Sequence, residues 1–268
     1  MRNSRVINWL RTLVFLAALF AIANLRASAS EITIAAAADL KFAMDELIGE
    51  FRTNHPTIAV KVTYGSSGNF YAQLQNRAPF DLYFSADIDY PRKLAEAGHA
   101  LDTNVFHYAV GRIVVWTPTN SPIDVEKLGI QSLLAPGVKK IAIANPQHAP
   151  YGRAAVAAMK SLGVHDQAEP RFVLGENIAQ TAQFVQSGAA DIGIIALALA
   201  VAPQMRDAGR YWEIPLDSYP RMDQGGMIVK WTKAPEAART FRDFVLNDHG
   251  REVLKRYGFF LPEKQPQP

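Results

Sequence analysis

Cysteine is absent from all 268 residues. That excludes disulfides, thiolate metal sites and a cysteine nucleophile in one step. An excess of one charge is also missing once the chain is divided. Lys+Arg number 28 and Asp+Glu 25 overall, but residues 1–30 hold Arg2, Arg5, Arg11 and Arg26 and no acid. The remainder carries 24 bases against 25 acids, a net charge of −1, so nothing argues for nucleic acid or an anionic membrane surface as partner. Walker A, G-x-S-x-G and H-E-x-x-H motifs are lacking as well. The histidines (His55, His99, His107, His148, His165 and His249) never stand three or four residues apart, and no zinc site is expected. Ser66 and Ser67 have no base nearby in sequence, so no catalysis is expected of them. There is no fixed-period repeat and no low-complexity linker.

What is present begins with an export signal. Three arginines precede an apolar stretch, Leu13 to Ile22, that is short for a membrane span, and Ala27-Ser28-Ala29 forms an A-x-A cleavage pattern. Residues 1–29 are therefore expected to be removed, leaving a periplasmic protein, with a retained anchor as the competing reading. No cysteine precedes the cut, which excludes a lipid-modified terminus. About 240 residues without disulfides must rest on apolar packing, enough for one large or two small domains.

Strand and helix patterns then alternate. Ile32 and Ile34 with an alanine run mark a first strand, and Leu40, Ala43, Leu47, Ile48 and Phe51 keep helical spacing after Asp39. Ile58 to Thr63 leads through Tyr64-Gly65-Ser66-Ser67-Gly68-Asn69 into a second helix. Phe80 to Ser85 reads as a buried strand, and Tyr108 to Trp116 as one long apolar strand. Lys140 to Ala144 runs into Asn145 to Gly152 and a helix, and Phe172 to Asn177 into another. Ala190 to Ile195 and Gly226 to Val229 complete the strands, and two helices close the chain before a Pro-rich tail. This order predicts an α/β protein of two lobes, each a mainly parallel sheet flanked by helices, joined by a two-strand hinge. The expected boundaries are 30–111 with 213–262 for the first lobe, 112–212 for the second, and 263–268 as a loose tail.

Ligands of such sheets collect where strands turn into helices. Four turns qualify: Ala37-Ala38-Asp39, Gly65-Ser66-Ser67-Gly68, Ala149-Pro150-Tyr151-Gly152 and Asn177-Ile178. Each precedes a predicted helix, whose first N–H groups lack internal partners and carry partial positive charge. None centres on Lys or Arg, which suits a fully deprotonated oxyanion held by neutral donors. Plain turn chemistry accounts equally for the glycines and Pro150, and Tyr151 alone would pass as a half-buried aromatic.

The motifs Tyr64 to Gly68, Ala78 to Asp87, Ile143 to Gly152 and Lys255 to Phe259 resemble the periplasmic molybdate-binding proteins of ABC transporters, within the type II solute-binding fold. The resemblance spans most of residues 31–262. It implies a monomer that binds molybdate or tungstate through its oxygens, with no protein–metal bond, no cofactor and a membrane permease as partner. It implies that Ser67, beside Ser66, offers hydroxyl and N–H, that Tyr151 and Ile178 offer backbone N–H groups, and that Ala38 and Asp39 form the first-turn site. Two positions depart from the family pattern, Ala38-Asp39 and Ala196, where relatives often carry hydroxyl or amide side chains. Asp39 is expected to cap its own helix with its carboxylate turned from the cleft. The alternative is that it accepts a proton from an anion such as hydrogen phosphate. Sulfate remains open as a ligand, and hydrolysis of a phosphoester is the remaining enzymatic alternative.

Overall fold

The computed structural model describes residues 30–102 and 105–262, so the expected leader and tail lie outside the described residues. Its first sheet has the order β2 (Ile58–Gly65), β1 (Ser30–Ala37), β3 (Leu82–Ser85), β10 (Met222–Ile228), β4 (Phe106–Gly111). The second has the order β7 (Phe172–Gly175), β6 (Ile141–Ala144), β8 (Ile192–Ala196), β5 (Ile113–Pro118), β9 (Gly209–Glu213). In each, three strands run parallel, and the strands that carry the chain between sheets join antiparallel. Each sheet is thus mixed, a parallel trio with two antiparallel pairings, because a strand that returns from the other lobe enters from the opposite end.

The apolar run Tyr108 to Trp116 is two strands, not one. It breaks at Arg112, so that β4 belongs to the first sheet and β5 to the second. Arg112 anchors this crossing by donating to the Gly258 carbonyl at 3.0 and 3.1 Å and to Glu213 at 3.0 Å. The return passage follows Glu213 at the end of β9 and reaches the first sheet at Met222.

Helix α1 (Lys41–Asn54) buries Ala43, Met44, Leu47, Ile48 and Phe51, the stripe its spacing predicts, against the first sheet. The closing helices α6 (Pro235–Leu246) and α7 (Asp248–Arg256) return to the same core, with Phe241, Val245, Val253 and Leu254 inward. Phe51 sits edge-on to Phe241 and Phe244 at centroid distances of 5.0 and 5.3 Å, which ties the chain's end to its beginning. The opposite face of this sheet is covered by α2 (Ser67–Gln75) and α3 (Asp89–Glu96), whose Phe70, Leu74 and Leu94 join Tyr83 of β3 in one core. The second sheet is enclosed by α4 (Pro150–Ser161) and α5 (Ile178–Gln186), with Trp116 fully buried in its core.

Phe51→Ala leaves a cavity at the junction of α1, α6 and the first sheet, and is expected to lower unfolding stability by about 3–5 kcal/mol in urea titrations. A loss under 1 kcal/mol would show that the closing helices do not depend on this contact.

Candidate functional site

The parallel strands β1, β2, β6 and β7 each end in a turn that opens a helix, and the four turns meet between the lobes. They line a small cavity of about 10 Å3 whose wall includes Ala38, Asp39, Ser66, Ser67, Tyr151 and Ile178. This space, room for about one water-sized sphere, falls far below the roughly 300–1,000 Å3 typical of pockets for organic ligands. No Lys or Arg lines the wall. Ala196, at the end of β8, is fully buried and stands outside it. Among the described residues no group of three or more His, Asp or Glu side chains could hold a metal ion.

Each turn delivers donors for a local reason. After β1 the chain tightens into a single 3-10 turn, Ala38–Leu40, before α1 begins. Ser66 has extended backbone angles and precedes α2, so the N–H of Ser67 heads that helix. The Ser67 hydroxyl oxygen accepts from the Ala86 N–H at 2.9 Å and its carbonyl accepts from Tyr83 Oη at 2.7 Å, which fixes the residue and leaves the hydroxyl proton free to donate. Pro150 opens α4 and has no N–H, so Tyr151 supplies the first amide of that helix. Asn177 caps α5 by accepting from Ala179 and Gln180 at 3.0 Å, and the Ile178 N–H at the head of the helix has no intrahelical acceptor.

The lobes touch directly around this cavity. The His148 carbonyl of the second lobe accepts from Ser66 Oγ at 2.7 Å and from the Gly68 N–H at 2.9 Å. Ser66 thereby commits its hydroxyl to the other lobe. Gly68 is required there, because a Cβ would lie 2.5 Å from that same carbonyl oxygen. Arg153 donates to Asp87 at 2.6 Å across the outer edge of the contact.

Asp39 departs from its expected role. Ala37 is the N-cap residue, no side chain caps the turn, and Asp39 lies inside it at the cavity wall. Its Oδ2 accepts from Tyr151 Oη at 2.9 Å and from Gln224 Nε2 at 2.8 Å, and Gln224 Nε2 also donates to Tyr151 Oη at 3.0 Å. These donors come from the other lobe and from β10. Asp39 Oδ1 and Gln224 Oε1 are buried without a hydrogen-bond partner. Burial pushes the Asp39 carboxyl up from 3.8 to about 6, against the lowering effect of Gln224, Tyr151 and the nearby Asp39 and Leu40 amides. Burial, followed by the charge of Asp39, holds the Tyr151 hydroxyl well above its ordinary value, so it donates as a neutral phenol. Sequence reasoning assigned Tyr151 only its backbone and missed Gln224, which lies 185 residues from Asp39 and ahead of the strand expected from Gly226. A glutamine two residues ahead of the expected apolar strand was the one available signal.

Residues 32–260 match the model of the bacterial extracellular solute-binding proteins. The chain belongs to that family. This solute-binding protein is 34% identical to the molybdate-binding protein ModA of Rhodobacter capsulatus over 88% of the chain and 90% of that relative. Its structure resembles the Azotobacter vinelandii periplasmic molybdate-binding protein with a TM-score of 0.80 at 32% identity, covering 87% of this chain and all of that one. It also resembles the substrate-binding domain of a putative molybdenum ABC transporter from Clostridium difficile, with a TM-score of 0.65 at 25% identity, over 87% of this chain and all of that one.

The raised Asp39 carboxyl gives the solute-binding protein a stability term with a definite sign. Protonation favours the folded state fully below pH 3.8, and this contribution is lost as pH rises through about 6. Relative to Asp39→Asn, whose amide cannot ionise, the wild-type protein is expected to lose about 2 kcal/mol of unfolding stability between pH 4 and pH 7. Urea titrations of both proteins across that range check it. Parallel pH profiles would mean that Asp39 is not desolvated in the folded protein.

Proposed function

We propose that this chain is the extracytoplasmic receptor for molybdate, or tungstate, of an ABC transporter, closing on the oxyanion and delivering it to a membrane permease. The observation that carries this reading is the convergence of four helix starts from two lobes on one small cavity walled without Lys or Arg. Names of relatives on both sequence and structure support the same ligand class. Ser67, Tyr151 and Ile178 supply the donors, with Ala38 and Asp39 completing the wall and Ser66 holding the lobes together. Each charge-assisted hydrogen bond contributes about 1.5–3 kcal/mol, so a handful gives micromolar affinity or better. The anion is bound through its oxygens and leaves unchanged, with neither catalysis nor a resident cofactor. Export to the periplasm and action as a monomer belong to the same reading.

Opening admits the ion, and closure assembles the site, since donors from both lobes meet only in the closed form. Calorimetry with sodium molybdate, tungstate, sulfate and phosphate tests the proposal. Molybdate and tungstate are expected to bind at micromolar concentration or below and the other two far more weakly. Ser67→Ala is expected to weaken molybdate binding by about 1–3 kcal/mol. Binding of phosphate without molybdate, or an unchanged affinity in the variant, would overturn this assignment.

A further inference from the structure

A carboxyl in the wall of a cavity for a dianion is a contradiction unless its charge is removed. Asp39 is 1% exposed, and its two oxygens are used unequally. Oδ2 accepts from the Tyr151 hydroxyl and the Gln224 amide, whereas Oδ1 is buried without a hydrogen-bond partner, the Asp39 and Leu40 amides lying near the carboxyl. In a carboxylate both oxygens carry charge and each seeks donors. In a carboxylic acid one oxygen is a carbonyl that accepts, and the other bears a proton that must be given away. The observed arrangement fits the second case, with Oδ2 as the carbonyl and Oδ1 as the hydroxyl still in search of an acceptor.

An oxyanion in the cavity is such an acceptor. We propose, on the basis of the oxyanion-receptor reading above, that the closed complex holds one proton between Asp39 Oδ1 and the bound anion, so that Asp39 is a specificity-determining donor rather than a repulsive charge. The proton comes from solvent when the ligand is a fully deprotonated dianion, and no covalent bond is made or broken beyond O–H. Approach of the dianion itself drives the uptake. A second negative charge beside a desolvated carboxyl disfavours ionisation, adding to the burial that already raises this group.

The groups around Asp39 leave it as the site of this proton. Tyr151 and Tyr108 face it as neutral phenols. Helix α5 and the short helix Leu197–Ala200, both packed on the turn, carry no ionisable side chain. On α1, Lys41 pairs with Asp45 at 3.2 Å, and on β2, Lys61 pairs with Glu31 at 2.9 Å. Arg153 of α4 pairs with Asp87, and Asp223 of β10 with Arg221. His148 is the competing candidate: its Nδ1 lies 2.9 Å from Ser66 Oγ and its Nε2 lies 3.9 Å from Glu176.

The test counts protons. Sodium molybdate is titrated into the full-length mature protein by calorimetry between pH 7 and 8.5, in buffers of different protonation enthalpy. Wild type is expected to take up close to one proton per molybdate, with affinity falling about tenfold for each pH increase of one. Asp39→Asn, which keeps a donor but cannot ionise, is expected to bind without proton exchange, with an affinity independent of pH and tighter than wild type at pH 8.5. Binding by wild type without uptake overturns the shared proton and leaves the receptor reading standing. Uptake that persists in Asp39→Asn assigns the proton to His148 and overturns the proposal equally. Absence of molybdate binding to wild type removes the receptor reading itself, and the shared proton with it.

Discussion

The constraint on which this structure depends is the unmet hydrogen-bonding capacity at the start of a helix. An α-helix leaves its first N–H groups without internal acceptors, and water normally supplies them. Here the starts following β1, β2, β6 and β7 face one another across a cavity too small for many waters. Excluding water strengthens each N–H toward an anion and raises the cost of leaving it unpaired. The arrangement is therefore at its best when something negative and compact fills it.

The rest of the fold serves to bring these ends together and let them part. Parallel strands aim helix starts to one side of each sheet, and the two passages at Arg112 and after Glu213 hold the lobes in fixed register. The close approach of Gly68 to His148 shows how little room the closed form leaves. Asp39, Tyr151 and Gln224 form a second tie at the floor of the cavity, joining the first strand, the second lobe and the returning strand. Because this tie contains an ionisable group, closure and protonation are linked in one element.

Much of this was legible in the sequence, for reasons that can be located. The alternation of strand and helix patterns gave two lobes, and Gly65 to Gly68 or Pro150 to Gly152 are local signals whose meaning is set within a few residues. Both glycines named above, Gly68 and Gly152, permit contacts with backbone oxygens, at 2.5 Å for a Cβ at the first and 2.0 Å at the second. Tyr108 to Trp116 reads as one apolar strand, although the residues on either side of Arg112 enter different cores. Asp39 was misread as a cap because local propensity knows nothing of Tyr151, 112 residues away. Gln224 was invisible for the same reason. Local chemistry found the corners of the cavity, and the network between them needed the tertiary structure.

The central claim is that uncharged groups from both lobes hold the anion at the meeting point of the four helix starts. The most direct measurement is an anomalous difference map from crystals grown with sodium molybdate, recorded at the molybdenum absorption edge. The account requires one strong peak inside the cavity, within hydrogen-bonding reach, through its oxygens, of Ser67, Tyr151 and Ile178. A peak beside Arg153 and Arg221 on the outer face, with the cavity empty, would contradict it.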